Sequence, residues 1–285
     1  MIHITECPRD AMQGIHTFIP TAEKISYLQQ LLKVGFPVLD AGSFVSPKAI
    51  PQLADTHEVF DALDMSATQT KILAIVANAR GASEAVAVDK VSILGFPFSV
   101  SETFQQRNTN SSIAQSLSRV EEIIELCASR NKELVIYLSM AFGNPYGDEW
   151  SPELVAKWAK TLEGMGVKNL SLADTTGISE IQGISTLYTT IQAELSSANL
   201  SMHLHSLPQD VALKAEAAYN AGCRYFDSAL KGFGGCPMAS DTLTGNMATE
   251  VLIQWANVNQ IETGINHLEL KEAERQANFL FDRYL

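Results

Sequence analysis

His203 and His205, separated by a single leucine, are the sharpest chemical feature of this 285-residue chain. On a strand, residues two apart project to the same face with their side chains rooted roughly 7 Å apart, and two imidazoles so placed suit a shared metal ion. Six histidines in 285 residues would yield such a pair by chance roughly 0.13 times, so coincidence is the weaker account of it. Asp10 and Asn246 offer hard oxygen donors that would complete the set. Two neutral nitrogens with two oxygens suit Mg²⁺ or Mn²⁺; Zn²⁺ and Fe²⁺ accept the same donors, and two histidines with one carboxylate also describe the facial triad of iron oxygenases. Arg9 has two readings: a structural partner for an inner carboxylate such as Asp40 or Asp174, or a cation that stabilises negative charge developing on a carbonyl oxygen. Cys236, framed by Gly234-Gly235 and Pro237, reads as a thiol acid or base on a flexible loop, against the usual fate of free cysteine as a small buried residue. Glu250 follows Asn246 closely enough to share its end of the molecule. Asp227 reads as structural, and His3, His16, His57 and His267 belong to no constellation.

Groups this far apart in the chain meet only if the elements between them bring them to one place. Short apolar or β-branched runs alternate with longer helical stretches throughout. Eight strands are expected at Ile2–Glu6, Pro37–Ala41, Lys71–Ala77, Lys90–Gly95, Leu134–Met140, Asn169–Ala173, Leu200–His205 and Tyr225–Ala229. Helices are expected at Thr21–Val34, Pro47–Leu63, Ile113–Arg130, Pro152–Gly166, Glu180–Ser197, Pro208–Ala221, Ser240–Asn257 and, as an extra C-terminal element, Leu268–Tyr284. Ser151-Pro152-Glu153 supplies an N-cap, a first-turn proline and an acidic first turn, while Gly35, Gly166 and Gly222 stand where helices end in a left-handed residue. Strands joined through helices run parallel, and eight such units without a composition break predict a single (β/α)8 TIM-barrel domain over residues 1–285. An open doubly wound sheet is disfavoured because no glycine-rich phosphate loop follows the first strand. Phe96–Asn110 is the longest stretch left irregular and is expected to be an active-site loop. In such a barrel, chemistry gathers at the C-terminal ends of the strands, where Arg9, Asp10, Asp40, Asp174, His203, His205 and the 231–236 loop all fall.

Bulk properties narrow the function classes. A formal net charge of −12, with no dense Lys/Arg block, argues against a nucleic-acid partner. No apolar run long enough to span a bilayer and no signal peptide are read, and Cys7, Cys127, Cys223 and Cys236 lack paired spacing. Free thiols in a reducing cytoplasm, with no membrane partner, are the expectation.

The motifs Cys-Pro-Arg-Asp-Ala-Met-Gln at 7–13, Ser-Phe-Val-Ser-Pro-Lys at 43–48, Gly-Gly-Cys-Pro at 234–237 and Gly-Asn-Met-Ala-Thr-Glu at 245–250 together resemble the 3-hydroxy-3-methylglutaryl-CoA lyase family, in order and spacing over nearly the whole chain. The first corresponds to Gly-Pro-Arg-Asp-Gly-Leu-Gln in that family. The resemblance implies a metal held by Asp10, His203, His205 and Asn246, Arg9 as enolate stabiliser, Cys236 as a proton-transfer group, and Asp174 and Glu250 in or beside the site. It implies retro-Claisen cleavage of 3-hydroxy-3-methylglutaryl-CoA to acetyl-CoA and acetoacetate, a place in leucine degradation, and a homodimer. Lys48 and Arg107 fall in segments that match the family's CoA-facing side, as candidates for the phosphates of an acyl-CoA. Three positions depart from the family pattern: Thr5 stands where a strand-one carboxylate is usual, with Glu6 displaced to the other face; Asp40 replaces a glutamate; and Ser206 replaces an acidic residue. They leave two alternatives open, a related aldolase or acyl-CoA condensing enzyme acting on a different hydroxyacyl or oxoacid substrate, and a catalytically inactive barrel that binds without turnover.

Overall fold

In the computed structural model, residues 1–235 and 244–285 are described. Eight strands alternate with helices and close on themselves: β1 His3–Glu6, β2 Val38–Ser43, β3 Lys71–Ile75, β4 Val91–Ser99, β5 Glu133–Ser139, β6 Asn169–Asp174, β7 Asn199–Leu204 and β8 Tyr225–Ser228. Every neighbouring pair is parallel, and β8 returns to β1 with His3 opposite Tyr225 and Glu6 opposite Ser228. The helices are α1 Pro8–Gln13, α2 Thr21–Val34, α3 Thr56–Ala62, α4 Ala79–Val86, α5 Glu102–Thr109, α6 Ile113–Ser129, α7 Pro152–Gly164, α8 Ile181–Glu194, α9 Val211–Asn220, α10 Thr249–Val258 and the C-terminal α11 His267–Tyr284. This is the TIM barrel the alternation predicts. The local signals hold as well: Ser151 Oγ accepts from Leu154 N–H at 3.1 Å with Pro152 opening α7, and Gly35, Gly166 and Gly222 have φ of 90°, 102° and 109°.

Three expectations about elements are corrected. Phe96–Asn110 is not irregular: β4 continues to Ser99, and α5 follows with Ser101 capping it. Pro97 hides the strand, because proline inside a run argues against a central strand; here it pairs with Tyr137 while Phe96 and Phe98 on either side are buried. The helix expected over Pro47–Leu63 is a single 3-10 turn at Pro51–Leu53 and then the shorter α3, since Pro51 removes the N–H that a continuous helix needs. The helix expected from Ser240 begins at Thr249. Residues 244–248 before it are not helical, and 236–243 lie outside the described residues.

Most buried apolar side chains fill the layer between strands and helices, whereas the barrel interior holds a separate small cluster of Leu73, Ile93, Val135 and Tyr137. Gly95 makes room for it. A Cβ there would sit 2.6 Å from Ile75 Cδ1 and 3.0 Å from Tyr137 Cε2, so the absent side chain is what lets the Tyr137 ring lie across the barrel axis. Tyr137 lines the cavity at the mouth and also a second cavity at the base.

On the outer face of β1, Glu6 is fully buried. Its carboxyl accepts from Leu230 N–H at 2.8 Å and from the Thr249 hydroxyl at 2.5 Å, joining β1 to the start of α10. Burial is the largest influence on this acid and pushes it up to about 8 against those two hydrogen bonds.

Two stability tests follow. Gly95→Ala overpacks the interior and is expected to cost about 1–3 kcal/mol by urea unfolding; wild-type stability would show that the interior relaxes around a methyl group. Glu6 holds its proton more tightly folded than unfolded, so its contribution is complete below about 4.5 and is lost as pH rises through about 8. Glu6→Gln is therefore expected to lose less thermal stability than wild type between pH 5 and 8; parallel melting curves for the two chains would contradict this.

Candidate active site

The mouth of the barrel is built first from the turn after β1. Pro8 occupies the first position of α1, where its missing N–H costs nothing, and the one-and-a-half turns that follow place Arg9, Asp10 and Gln13 over the barrel end. Arg9 uses all three of its nitrogens: Nε lies 3.1 Å from both Asp40 oxygens, Nη2 lies 2.5 Å from Asp40 Oδ2, and Nη1 donates to Asp10 Oδ1 and Gln13 Oε1 at 2.9 Å each. Its structural partner is thus Asp40, with Asp10, and not Asp174. Arg9 also lines the mouth cavity, so the structural and functional readings hold together. Burial opposes the charge of Arg9, but the charges of Asp40 and Asp10 outweigh it and keep the guanidinium a permanent cation.

Asp10 is the centre of the site. Its Oδ1 accepts from Arg9 and from Gln13 Nε2 at 2.5 Å, and its Oδ2 from Asn246 Nδ2 at 2.6 Å and Gly235 N–H at 3.4 Å. Burial alone would raise its pKa; Arg9, His203, His205 and the Asn246 hydrogen bond reverse this and lower it to about 2. His203 and His205 lie at and just beyond the end of β7, and their rings pack at 5.3 Å. One ligand atom from each of Asp10, His203 and His205 lies within 4.8 Å of the others, and all three residues are buried. Among the described residues His205 Nδ1 is buried without a hydrogen-bond partner, and burial followed by the charge of His203 lowers the ring's pKa to about 4, which favours the neutral imidazole. An ionised buried carboxylate beside a neutral imidazole with an open ring nitrogen fits a bound divalent metal.

Asn246 reaches this set through a feature absent from the strand pattern. Leu204 O accepts from Met247 N–H at 3.1 Å and Gly245 O from Ser206 N–H at 2.9 Å, so residues 245–247 run antiparallel beside the end of β7 and put Asn246 opposite His205. Asn246 Nδ2 also donates to Phe233 O at 2.9 Å. Gly234, at φ 110°, lies so close that a Cβ would sit 2.4 Å from Asn246 Nδ2 and 2.9 Å from Asp10 Oδ2. The loop therefore begins in contact with the ligand set. Cys236 itself lies outside the described residues.

The other expected site residues take supporting positions. Asp174 does not line the cavity: it accepts from Ile178 and Ser179 N–H at 2.9 and 3.1 Å and from Lys214 Nζ at 3.3 Å. Glu250 accepts from Lys231 N–H at 3.0 Å and lies 3.8 Å from Lys231 Nζ, fixing the turn (φ 66°) from which the glycine-rich loop departs. Lys48 and Arg107 are exposed on two rim segments whose neighbours Ala49, Ile50, Asn108 and Thr109 line the cavity. The Arg107 guanidinium stacks 5.1 Å from the Tyr146 ring. Thr5 faces the barrel interior and Glu6 the opposite side, as their spacing predicts. Ser206 is buried and lends its N–H to the 245–247 pairing.

Two residues that sequence reasoning missed hold the histidines. Asp227, read as structural, sits opposite His203 across β7 and β8, with its Oδ2 3.2 Å from His203 Nδ1. Burial pulls the His203 pKa down, but this hydrogen bond and the charges of Asp227 and Asp10 carry it above the ordinary value, and Nε2 is left to face the site. Lys214 on α9 is buried and donates to His205 O at 2.8 Å as well as to Asp174. Its signal was a lysine on the same helix face as Val211, Ala215 and Ala218, all fully buried. Carboxylates that orient a ligating histidine typically govern 10–100-fold in metal affinity, so Asp227→Asn is expected to weaken Mn²⁺ binding by about that factor in calorimetric titration. An unchanged affinity would reduce Asp227 to barrel packing.

Comparison with known proteins identifies the family. Residues 2–276 match the HMGL-like family model. The chain is 34% identical over 268 residues to the mouse mitochondrial hydroxymethylglutaryl-CoA lyase, covering 93% of this chain and 81% of that one. It is 32% identical over 266 residues to the human cytoplasmic 3-hydroxy-3-methylglutaryl-CoA lyase, covering 93% and 71%. An HMG-CoA lyase from Acinetobacter baumannii, solved with coenzyme A and 3-methylmalate, superposes with a TM-score of 0.92 at 31% identity over 99% of this chain and 92% of that one. With its barrel and its Asp10–His203–His205 cluster in place, the chain belongs to the HMGL-like family.

Proposed function

We propose that the protein cleaves 3-hydroxy-3-methylglutaryl-CoA to acetyl-CoA and acetoacetate, and the observation that carries this is the pairing of the buried Arg9 cation with the Asp10–His203–His205 cluster in one cavity. The cavity has a volume of about 180 Å³, and its lining includes the apolar Val45, Ile75, Pro97 and Phe104 as well as Arg9, Asp10, His203 and His205. That mixed lining suits a small acyl group with both a methyl branch and oxygens. Asp10, His203, His205 and Asn246 would hold a divalent metal, Mg²⁺ or Mn²⁺ by its oxygen donors, which when bound lowers the pKa of the substrate's tertiary hydroxyl and neutralises its carboxylate.

Cleavage requires the tertiary hydroxyl to lose its proton and become the ketone of acetoacetate, the bond from the hydroxyl-bearing carbon to the α-carbon of the thioester to break, and its electron pair to settle as the enolate of acetyl-CoA. The proton acceptor belongs to the Asp10–histidine cluster or its neighbours; Asp10, held near 2, is the weakest base in it. Arg9 holds the enolate oxygen, and its fork on Asp40 fixes it before substrate arrives, so no reorganisation is needed as charge develops. Cys236 or His203 returns a proton to the enolate carbon. Asp174, Lys214 and Glu250 position the histidine strand and the loop. In this reading Lys48 and Arg107, exposed beside residues that line the cavity, meet the phosphates of the CoA. A homodimer, a cytoplasmic location and a place in leucine degradation complete this reading. Among the described residues no helix is long and apolar enough to cross a membrane.

The test is acetoacetate release from 3-hydroxy-3-methylglutaryl-CoA with Mg²⁺ or Mn²⁺ and with EDTA. Activity is expected only with metal, with Cys236→Ala crippled and Arg9→Gln reduced in kcat by about 10²–10³-fold, the cost typical of losing a preorganised oxyanion donor. A metal-loaded chain that cleaves another hydroxyacyl thioester or oxoacid instead would move the assignment to the aldolase alternative, and one with no turnover of any of them to the binding alternative.

A further inference from the structure

A second group of metal-ligating atoms lies behind the first. Cys7 Sγ, a ring nitrogen of His203 and a carboxylate oxygen of Asp227 all lie within 4.8 Å of one another, and all three residues are buried. Nothing in the cleavage chemistry uses Cys7, which does not line the mouth cavity. Among the described residues its thiol donates a single long bond, 3.7 Å to Thr5 O, a contact easily surrendered.

We propose that Cys7, His203 and Asp227 form an inhibitory site for a borderline-soft divalent cation, zinc above all. A thiolate, an imidazole and a carboxylate are donors that zinc takes together in tetrahedral geometry, whereas Mg²⁺ disfavours sulfur. With Zn–S near 2.3 Å and Zn–N near 2.0–2.1 Å, ligand atoms around one zinc stand about 3.3–3.8 Å apart, so the cluster closes on a cation by side-chain shifts of the order of an ångström. The sulfur gives up its proton to solvent as it takes the metal. Asp227 lines the cavity of about 320 Å³ at the barrel base and His203 lines the cavity at the mouth, so the group adjoins both. His203 belongs to both triads. A zinc held by Cys7 and Asp227 therefore perturbs or removes a ligand from the Asp10–His205 set, and the site reports on metal balance.

The experiment uses the full chain with Cys236→Ala, which removes the loop thiol. Co²⁺, as a spectroscopic stand-in for zinc, is expected to give a near-ultraviolet thiolate-to-cobalt charge-transfer band that disappears when Cys7→Ser is added. Zinc-edge X-ray absorption on the Cys236→Ala chain is expected to show one sulfur together with imidazole in the metal's shell. A band that survives Cys7→Ser, or a zinc shell without sulfur, overturns the proposal, and the second readout decides alone if the Cys7→Ser chain does not fold. In the Mg²⁺-loaded enzyme with Cys236 intact, Cys7→Ser is expected to need roughly tenfold more zinc for half-inhibition; equal sensitivity overturns the inhibitory role. Only this last arm rests on the lyase reading, so loss of that reading leaves the two spectroscopic arms standing.

Discussion

A single guanidinium shared between two buried carboxylates governs the mouth of this barrel. Arg9 grips Asp40 with Nε and Nη2 and Asp10 with Nη1, all within a region almost closed to water. Removing one partner of such a buried pair typically costs about 3–5 kcal/mol, because the survivor is left uncompensated. The arrangement is therefore conditional: Asp10 can remain ionised under burial because Arg9 and the histidines face it, and Arg9 can remain fixed because α1 sets it against β2. The geometry of charge, more than apolar packing, decides what this end of the barrel can tolerate.

The supports follow the same logic. Asp227 and Lys214 place a negative charge behind one histidine and a positive charge behind the carbonyl of the other. His203 is drawn towards protonation and His205 away from it. Two chemically identical side chains, two residues apart, thus enter the cavity with different proton affinities: Asp227 and Asp10 outweigh burial at His203, while burial and the charge of His203 prevail at His205.

Much of this could be read from the chain. The strand–helix alternation gave all eight strands to within a few residues, and positions at strand ends gave Arg9, Asp10, Asp40, His203 and His205, because a barrel's periodicity fixes which end a residue occupies. Prolines misled twice, in opposite senses: Pro97 concealed the end of β4 and, with it, α5, while Pro51 broke a helix that apolar spacing had suggested. Asp227 looked structural because its importance lies in a neighbour on β7, 24 residues away, and register between strands is not written in either one alone. Asp174 looked catalytic because it stands at a strand end, yet its carboxylate faces Lys214 and the backbone of the following turn. A strand-end position specifies the end of the barrel but not whether a side chain faces the cavity or its wall.

The pairing of residues 245–247 with the end of β7 carries an energetic consequence. Three members of the ligand set ride on barrel strands or the turn that follows β1, but Asn246 arrives on a segment held by a few backbone hydrogen bonds and by Asp10 itself. Any cation that draws on Asn246 therefore draws on those hydrogen bonds as well. By reciprocity, whatever tightens the pairing of residues 245–247 with β7 also tightens the hold on the ion, and an ion bound there stiffens that pairing.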